Sequence, residues 1–495
     1  MPGKIRCLGK KDKYEMPSPF LQPVMMVSAT LVCLCGCSRE VIVDKTRLND
    51  DSSRETSELL PVHSPLETTD ALEPDHRALP VNQDSGNNST PNALMEPDFT
   101  VGEIEKLQEE TITALDSGDL DIAFGLAREL KRVDGENPQT IFLMARVLAE
   151  KHRFRQAVKM LDDLALEFPD THLAVLGQTA EWLVFQGDWQ AAEERYRTLN
   201  SLVDETSLVD RLLSRLLMRQ GRVVEANALL RRLCRMGNVE EMDLRSLLSL
   251  SCPLPGDAAT DAFEPIGLKG SARHAISMGQ LAVAGEILQQ AVTDSSVVLG
   301  PDEYALQGRL LVLLEQFERL PEWINSAPEG VKQYSDYWFA LGAYQLQQAD
   351  FSTATESLGC AVLRDQTDFR AYKLLGDALN GLGKPEQAKQ AIERTRLIEQ
   401  TMGIGNEMAT NPQRDVKKIG VLIDLLERLQ RPLEALGWRG IQVAYGRASS
   451  MLDESAARNI LQMINQERIA QLGKTDTAAR RLFVTCGVEV SLKTR

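Results

Sequence analysis

Small and apolar residues recur along this chain with a period near 34. Tyr304, Trp338 and Tyr372 are spaced 34 and 34, and four residues after each stands a glycine, Gly308, Gly342 and Gly376. Sixteen residues after each aromatic come Leu320, Ala354 and Ala388, and four further on Ile324, Leu358 and Ile392. The N-terminal half keeps the same rhythm, with Ala123, Ala157, Ala192 and Ala226 spaced 34, 35 and 34. Gly118, Gly187 and Gly221 lie five residues before three of these alanines, and Phe154, Trp189 and Val223 lie three before. Ala284, with Gly279 before it and Leu288 after it, adds one more. The pattern predicts eight helical repeats in two blocks of four, about 101–237 and about 265–404.

Two antiparallel helices of about 12–14 residues with their turns fill such a period. A small residue on each helix lets the axes approach to about 8–10 Å. One pair cannot bury its apolar stripe alone, so neighbouring pairs stack into a solenoid. Trp338-x-x-Leu341-Gly342 followed by Ala354-x-x-x-Leu358 resembles the tetratricopeptide repeat (TPR) motif. The resemblance implies an all-α helical-hairpin solenoid whose first helices line a concave, peptide-binding groove. Most repeats depart from the family by carrying a leucine (Leu148, Leu183, Leu217, Leu311 and Leu379) where it has a tyrosine.

The rhythm breaks at 238–264, around "LSCPLPGDAATDAFEPIG", where three prolines and two glycines stop any long helix. This stretch is expected to be a hinge between the blocks or an inserted loop. Beyond 404 a further helix pair is predicted, a degenerate ninth repeat with Ala435 at the small position. Residues 453–472 read as a capping helix, and the final "LFVTCGVEVSL" reads as strand-like.

Before the repeats the pattern is different. Residues 1–15 carry a net charge of +3, and an uncharged, largely apolar run extends from Met16 to Cys37. Its part without proline, Val24 to Cys37, has 14 residues, short of the roughly 20 that a helix needs to cross a bilayer. A basic head and a short apolar core match a secretory signal. Leu34-Cys35-Gly36-Cys37 resembles the bacterial lipobox, which implies cleavage before Cys37 and lipid on its thiol. A plain cleaved signal, an uncleaved anchor and a Cys-x-Cys-x-Cys metal site are the other readings. Residues 38–98 hold 13 acidic and 5 basic residues without helical periodicity, the composition of a disordered spacer. The expected organisation is a signal peptide at 1–36, a lipid-anchored acidic linker at 37–98, a first block at 99–237, the interruption at 238–264, a second block at 265–404, and a degenerate helix pair with its cap at 405–495.

Composition sharpens this. Only 5% of residues are aromatic and 43% are hydrophobic, which suits stacked helices better than a sandwich or barrel. The formal charge of −16 becomes −19 without the leader, which argues against nucleic-acid binding by phosphate neutralisation. Beyond Cys37 only Cys234, Cys252, Cys360 and Cys486 remain. Their wide spacing excludes a disulfide framework, although a Cys234–Cys252 bridge is possible in an oxidising compartment.

No catalytic motif is present: the five histidines are isolated, and HExxH, GxSxG, Walker and CxxC patterns are missing. No catalytic residue, metal, cofactor or small-molecule substrate is therefore expected. The paired acids Asp162-Asp163 and Glu193-Glu194 read as solvated helix faces. In the family the groove is lined by the fifth, ninth and thirteenth positions of each first helix. In the repeat of Ala226 these are Arg211, Arg215 and Arg219, three guanidiniums on one stripe, and the ninth position is also arginine at Arg146 and Arg309. Arginine pairs bidentately with carboxylates, so the expected ligand is an acidic segment or free C-terminus of a partner protein. The alternative is that these arginines pair with Asp210, Glu181 and Glu150 of their own chain. The resulting expectation is a non-catalytic scaffold, lipid-anchored on the periplasmic side of a bacterial envelope. Ser38 after the anchor cysteine points to the outer membrane. A fixed structural subunit of an envelope assembly and an enzyme of unrecognised type are the alternatives.

Overall fold

The computed structural model describes residues 99–293, 299–411, 413–473 and 478–490. The leader, Cys37 and the acidic linker to Asp98 lie outside the described residues. The protein is an all-α solenoid of antiparallel helical hairpins, with no strand among the described residues. Its first half runs through α1 (Val101–Ser117), α2 (Leu120–Val133), α3 (Pro138–Glu150), α4 (Phe154–Glu167), α5 (His172–Gln186), α6 (Trp189–Leu202), α7 (Ser207–Arg219) and α8 (Val223–Met236). The interruption holds α9 (Glu241–Leu248) and α10 (Pro255–Ala258). The second half continues with α11 (Gly267–Ser277), α12 (Leu281–Thr293), α13 (Pro301–Leu313), α14 (Leu320–Asn325), α15 (Ser335–Gln347), α16 (Phe351–Arg364), α17 (Phe369–Gly381) and α18 (Pro385–Thr410). It ends with α19 (Val416–Arg428), α20 (Pro432–Ala448), α21 (Glu454–Leu472) and α22 (Ala478–Val484).

Each hairpin is built by the same local chemistry. Asn137, Asp368 and Asp415 cap first helices by accepting backbone N–H groups, which satisfies donors that a helix start leaves orphaned. Pro138, Pro301, Pro385 and Pro432 begin helices where a missing N–H costs nothing. Between the two helices the chain turns through one left-handed residue, five positions before the small crossing residue. Gly118, Gly187, Gly221, Gly279 and Gly383 occupy it with φ between 69° and 86°, and His152, Glu315, Ala349 and Gln430 adopt it with φ between 55° and 58°. The crossing alanines Ala123, Ala157, Ala192, Ala226, Ala284, Ala354, Ala388 and Ala435 are all at most 1% exposed. On the facing helix, a Cβ added at Gly308 would lie 2.1 Å from the Trp323 ring, and one at Gly342 would lie 2.6 Å from Leu358 Cγ.

Two compact units result, residues up to Gly135 and residues from Glu136. In the first, α1 and α2 close over Leu107, Ala114, Leu115, Ala127 and Leu130. The second holds every later helix. One of its cores gathers Trp338, Phe339, Leu358, Tyr372 and Leu375 with Cys486 and Val488. Another joins Leu230 and Leu233 of α8, Leu244, Leu247 and Leu248 of α9, and Leu422, Leu426, Ala435 and Trp438 of α19 and α20.

Residues 238–264 are folded into this unit. Leu244, Leu247 and Leu248 are fully buried. Leu250 N–H donates to Thr367 Oγ1 at 2.9 Å, and Gly256 N–H donates to Asn406 Oδ1 at 2.7 Å. A side chain at Gly256 would strike Thr410 and Ala409. The prolines and glycines therefore serve a tight course against α18 rather than a free hinge.

The tail corrects the strand expectation. Its apolar residues form α22 and a turn through Cys486 (φ 53°) and Gly487 (φ 79°), then three further residues. No sheet among the described residues could receive a strand. Instead Tyr372 donates its hydroxyl to Val484 O at 3.0 Å, Gln387 Nε2 donates to Gly487 O at 3.2 Å, and the Arg394 guanidinium stacks 3.8 Å from the Phe483 ring centre. Val488 and Val490 lie over Gly359, where a Cβ would meet them.

Candidate interaction surfaces

The arginine stripe exists on α7, and its charge is met from within the chain. Arg211 is buried; its Nε donates to Asp243 Oδ2 at 2.9 Å, its Nη2 donates to Asn238 O at 3.0 Å, and Glu240 lies 3.2 Å away. Arg215 donates to Glu240 Oε2 at 2.9 Å while its side chain stays 37% exposed. Arg219 donates to Glu264 O at 2.7 Å and faces that residue's carboxylate at 3.4 Å. Every one of these acceptors belongs to 238–264. The stripe is thus the seat of the chain's own acidic insertion. Asp210, the neighbour expected to neutralise it, is instead held by Arg232 and Asn200.

Arg309 does not line an open groove. It is 3% exposed, its guanidinium pairs with Asp336 and Asp368, and it stacks over the Phe339 ring at 4.2 Å. Burial alone would raise the Asp336 carboxyl pKa. Arg273 and Arg309 outweigh that effect and hold it below the ordinary carboxylate range. Arg273 was missed in the sequence although a signal existed. Like Arg146, Arg215 and Arg309, it stands eleven residues before its crossing residue. Arg273 donates to Ser251 O at 2.6 Å and Gly221 O at 3.1 Å, and pairs with Asp336 at 2.5 Å. The ninth-position arginines of the second block therefore bind the insertion and each other's acids.

Arg146 on α3 is partly exposed. On α5, desolvation of the Glu181 carboxylate, with Glu150 alongside, raises its pKa from the ordinary value. The first helices of the first block thus carry acid as well as base. They also carry apolar surface: Phe185 is 65% exposed and stacks on Phe154 with ring centres 5.8 Å apart, and Leu208 is 51% exposed. Of the paired acids, Asp163 and Glu194 are exposed as expected, whereas Asp162 pairs with Arg195 of the next hairpin and Glu193, only 14% exposed, is held by Arg197 and Arg222. Cys234, Cys252, Cys360 and Cys486 are free thiols, and among the described residues no cluster of metal-ligating side chains forms.

No family model matches the chain, and no curated protein matches it. Among solved structures it is similar to a tetratricopeptide repeat protein from Parabacteroides merdae, at 14% identity and a TM-score of 0.24, over 56% of this chain and 99% of that one. It is also similar to a chain of the APC/C hetero-tetramer Cut9-Hcn1, at 14% identity and a TM-score of 0.25, over 77% of this chain and 82% of that one.

Proposed function

We propose that this chain is a non-catalytic interaction scaffold, anchored by lipid on Cys37 and holding a partner protein on the first helices of its first block. The observation that carries the reading is the stacked-hairpin surface around α3, α5 and α7. On it Phe185 and Leu208 stand exposed, and Arg215 is 37% exposed. Exposed aromatic and arginine side chains are the residue types that anchor protein interfaces. In the second block the corresponding arginines are buried, Arg273 on Ser251 O and Asp336, and Arg309 on Asp336 and Asp368. Anchoring is supported by Leu34-Cys35-Gly36-Cys37 alone.

Affinity purification from detergent-solubilised membranes tests both parts. Wild type is expected to retain a stoichiometric partner that Phe185→Asp loses without a change in helicity. Cys37→Ala is expected to release the chain from membranes and to lose metabolic labelling by a fatty-acid analogue. An unlabelled wild type would remove the anchor, and a partner retained by Phe185→Asp would move the interface elsewhere.

The second reading, a fixed subunit of an envelope assembly, has its own observation. Helix α21 buries only Ala457, while Met463 and Ile469 are more than half exposed. Such a surface suits permanent burial in a larger complex.

A further inference from the structure

A cleft of about 1670 Å³ opens between α8, the α19–α20 turn, the end of α21 and α22. Six arginines and three glutamates line it, so its wall is positive on a chain whose formal charge is −16. All three glutamates are already engaged: Arg439 pairs with Glu427 at 2.5 Å and Glu467 at 3.3 Å, and Arg431 pairs with Glu434. Arg231, Arg235 and Arg481 have no carboxylate within ion-pair distance among the described residues.

Arg231 is the informative member. Its Nε is buried without a hydrogen-bond partner, and so is Nη1 of the neighbouring Arg431. Burial lowers the pKa of Arg231 from its ordinary value; Glu434 and Asp365 oppose the shift, and Arg431 and Arg480 add to it. Glu434 and Asp365 therefore compensate its burial only in part, and a largely buried cation short of partners is costly where an apolar residue of similar volume is not. The arrangement is intelligible where a ligand supplies the missing negative charge. Two guanidiniums side by side suit carboxylates, which they bind through parallel N–H donors. The volume exceeds the roughly 300–1,000 Å³ usual for small-molecule sites, so it fits a stretch of peptide.

We propose that this cleft binds an acidic peptide segment of a partner protein, its carboxylates held by Arg231 and Arg431 and drawn in by Arg235 and Arg481 at the mouth. The assignment rests on the scaffold reading and adds a second site with a stated ligand chemistry. The site is distinct from the α3–α7 face.

The test uses the full chain with fluorescein-labelled octaglutamate, read by fluorescence anisotropy at about 0.15 M salt. Arg231→Met is expected to weaken binding about tenfold or more, and Arg215→Met to leave it within about twofold. Because a change at Arg231 touches a packed wall, the double variant Arg235→Met/Arg481→Met, at exposed positions, is measured alongside. It is expected to weaken binding about three- to tenfold with an unchanged melting temperature. Binding lost in Arg215→Met but kept in Arg231→Met overturns the assignment. So does a wild type that binds inorganic phosphate and not octaglutamate. A chain that captures its partner yet ignores octaglutamate removes this site alone. One that binds octaglutamate through Arg231 but retains no partner on α3–α7 keeps the site and removes the groove reading.

Discussion

At each hairpin turn one residue must turn left-handed, because the second helix has to fold back beside the first within two or three positions. Glycine adopts this backbone freely, whereas an L-residue with a side chain is penalised by about 1–2 kcal/mol. Ala349 (φ 57°) occupies the position in the α15–α16 turn, and Gly383 (φ 70°) occupies it in the α17–α18 turn with open space where a Cβ would stand. Ala349→Gly is therefore expected to stabilise the second unit by about 0.5–1 kcal/mol, and Gly383→Ala to destabilise it by about 1 kcal/mol. Urea denaturation followed by circular dichroism measures both, and a loss of stability in Ala349→Gly would refute the backbone argument. Five of these turns could be located in the sequence from glycine. The other four could not, since His152, Glu315, Ala349 and Gln430 carry no turn signal and take the conformation because the flanking helices impose it.

Elements are joined by ion pairs that a period of 34 does not reveal. Asp336 at the start of α15 lies between Arg273 of α11 and Arg309 of α13, and it is 1% exposed. Asp336→Asn would leave two buried guanidiniums short of a partner, which typically costs about 3–5 kcal/mol. The pH dependence follows from the direction of its pKa shift. Its folded pKa lies below the ordinary value, so its contribution is fully present above the unfolded pKa of about 3.9 and is lost as pH falls through the folded value. The stability difference between wild type and Asp336→Asn is therefore expected to be constant near neutrality and to shrink below about pH 4. A difference that does not change with pH in chemical denaturation would mean that the carboxylate's charge is not what holds these helices. The candidate site was legible to the same partial extent: the α7 stripe could be read from a spacing of four, but its acceptors at Asp243, Glu240 and Glu264 could not.

In the second unit as a whole, packing also reaches beyond neighbouring repeats. A simple stack couples only neighbouring repeats, yet α8 and α9 share a core with α19 and α20. Arg431 Nη2 also donates to Leu247 O at 2.7 Å, across 184 residues of sequence. Leu244 lies against Gly437, where an added Cβ would meet it at 2.8 Å. Leu244→Ala is expected to cost about 2–5 kcal/mol and to lower hydrogen-exchange protection in α19 and α20 together with α8 and α9. Protection lost only around 230–248 would show that the repeats respond independently.

The sequence by itself determined the hairpins, their period, the small crossing residues and a ninth repeat around Ala435. These depend on contacts between adjacent helices, and a contact repeated every 34 residues leaves a periodic trace. Tertiary structure alone decided where 238–264 lies, what the α7 arginines bind, how the tail ends and which arginines have no carboxylate within ion-pair distance among the described residues. Those outcomes rest on single contacts such as Leu250 with Thr367 and Tyr372 with Val484, separated by 117 and 112 residues. A contact made once leaves no period to read, and a charge shows its sign in the sequence but not its neighbour in space.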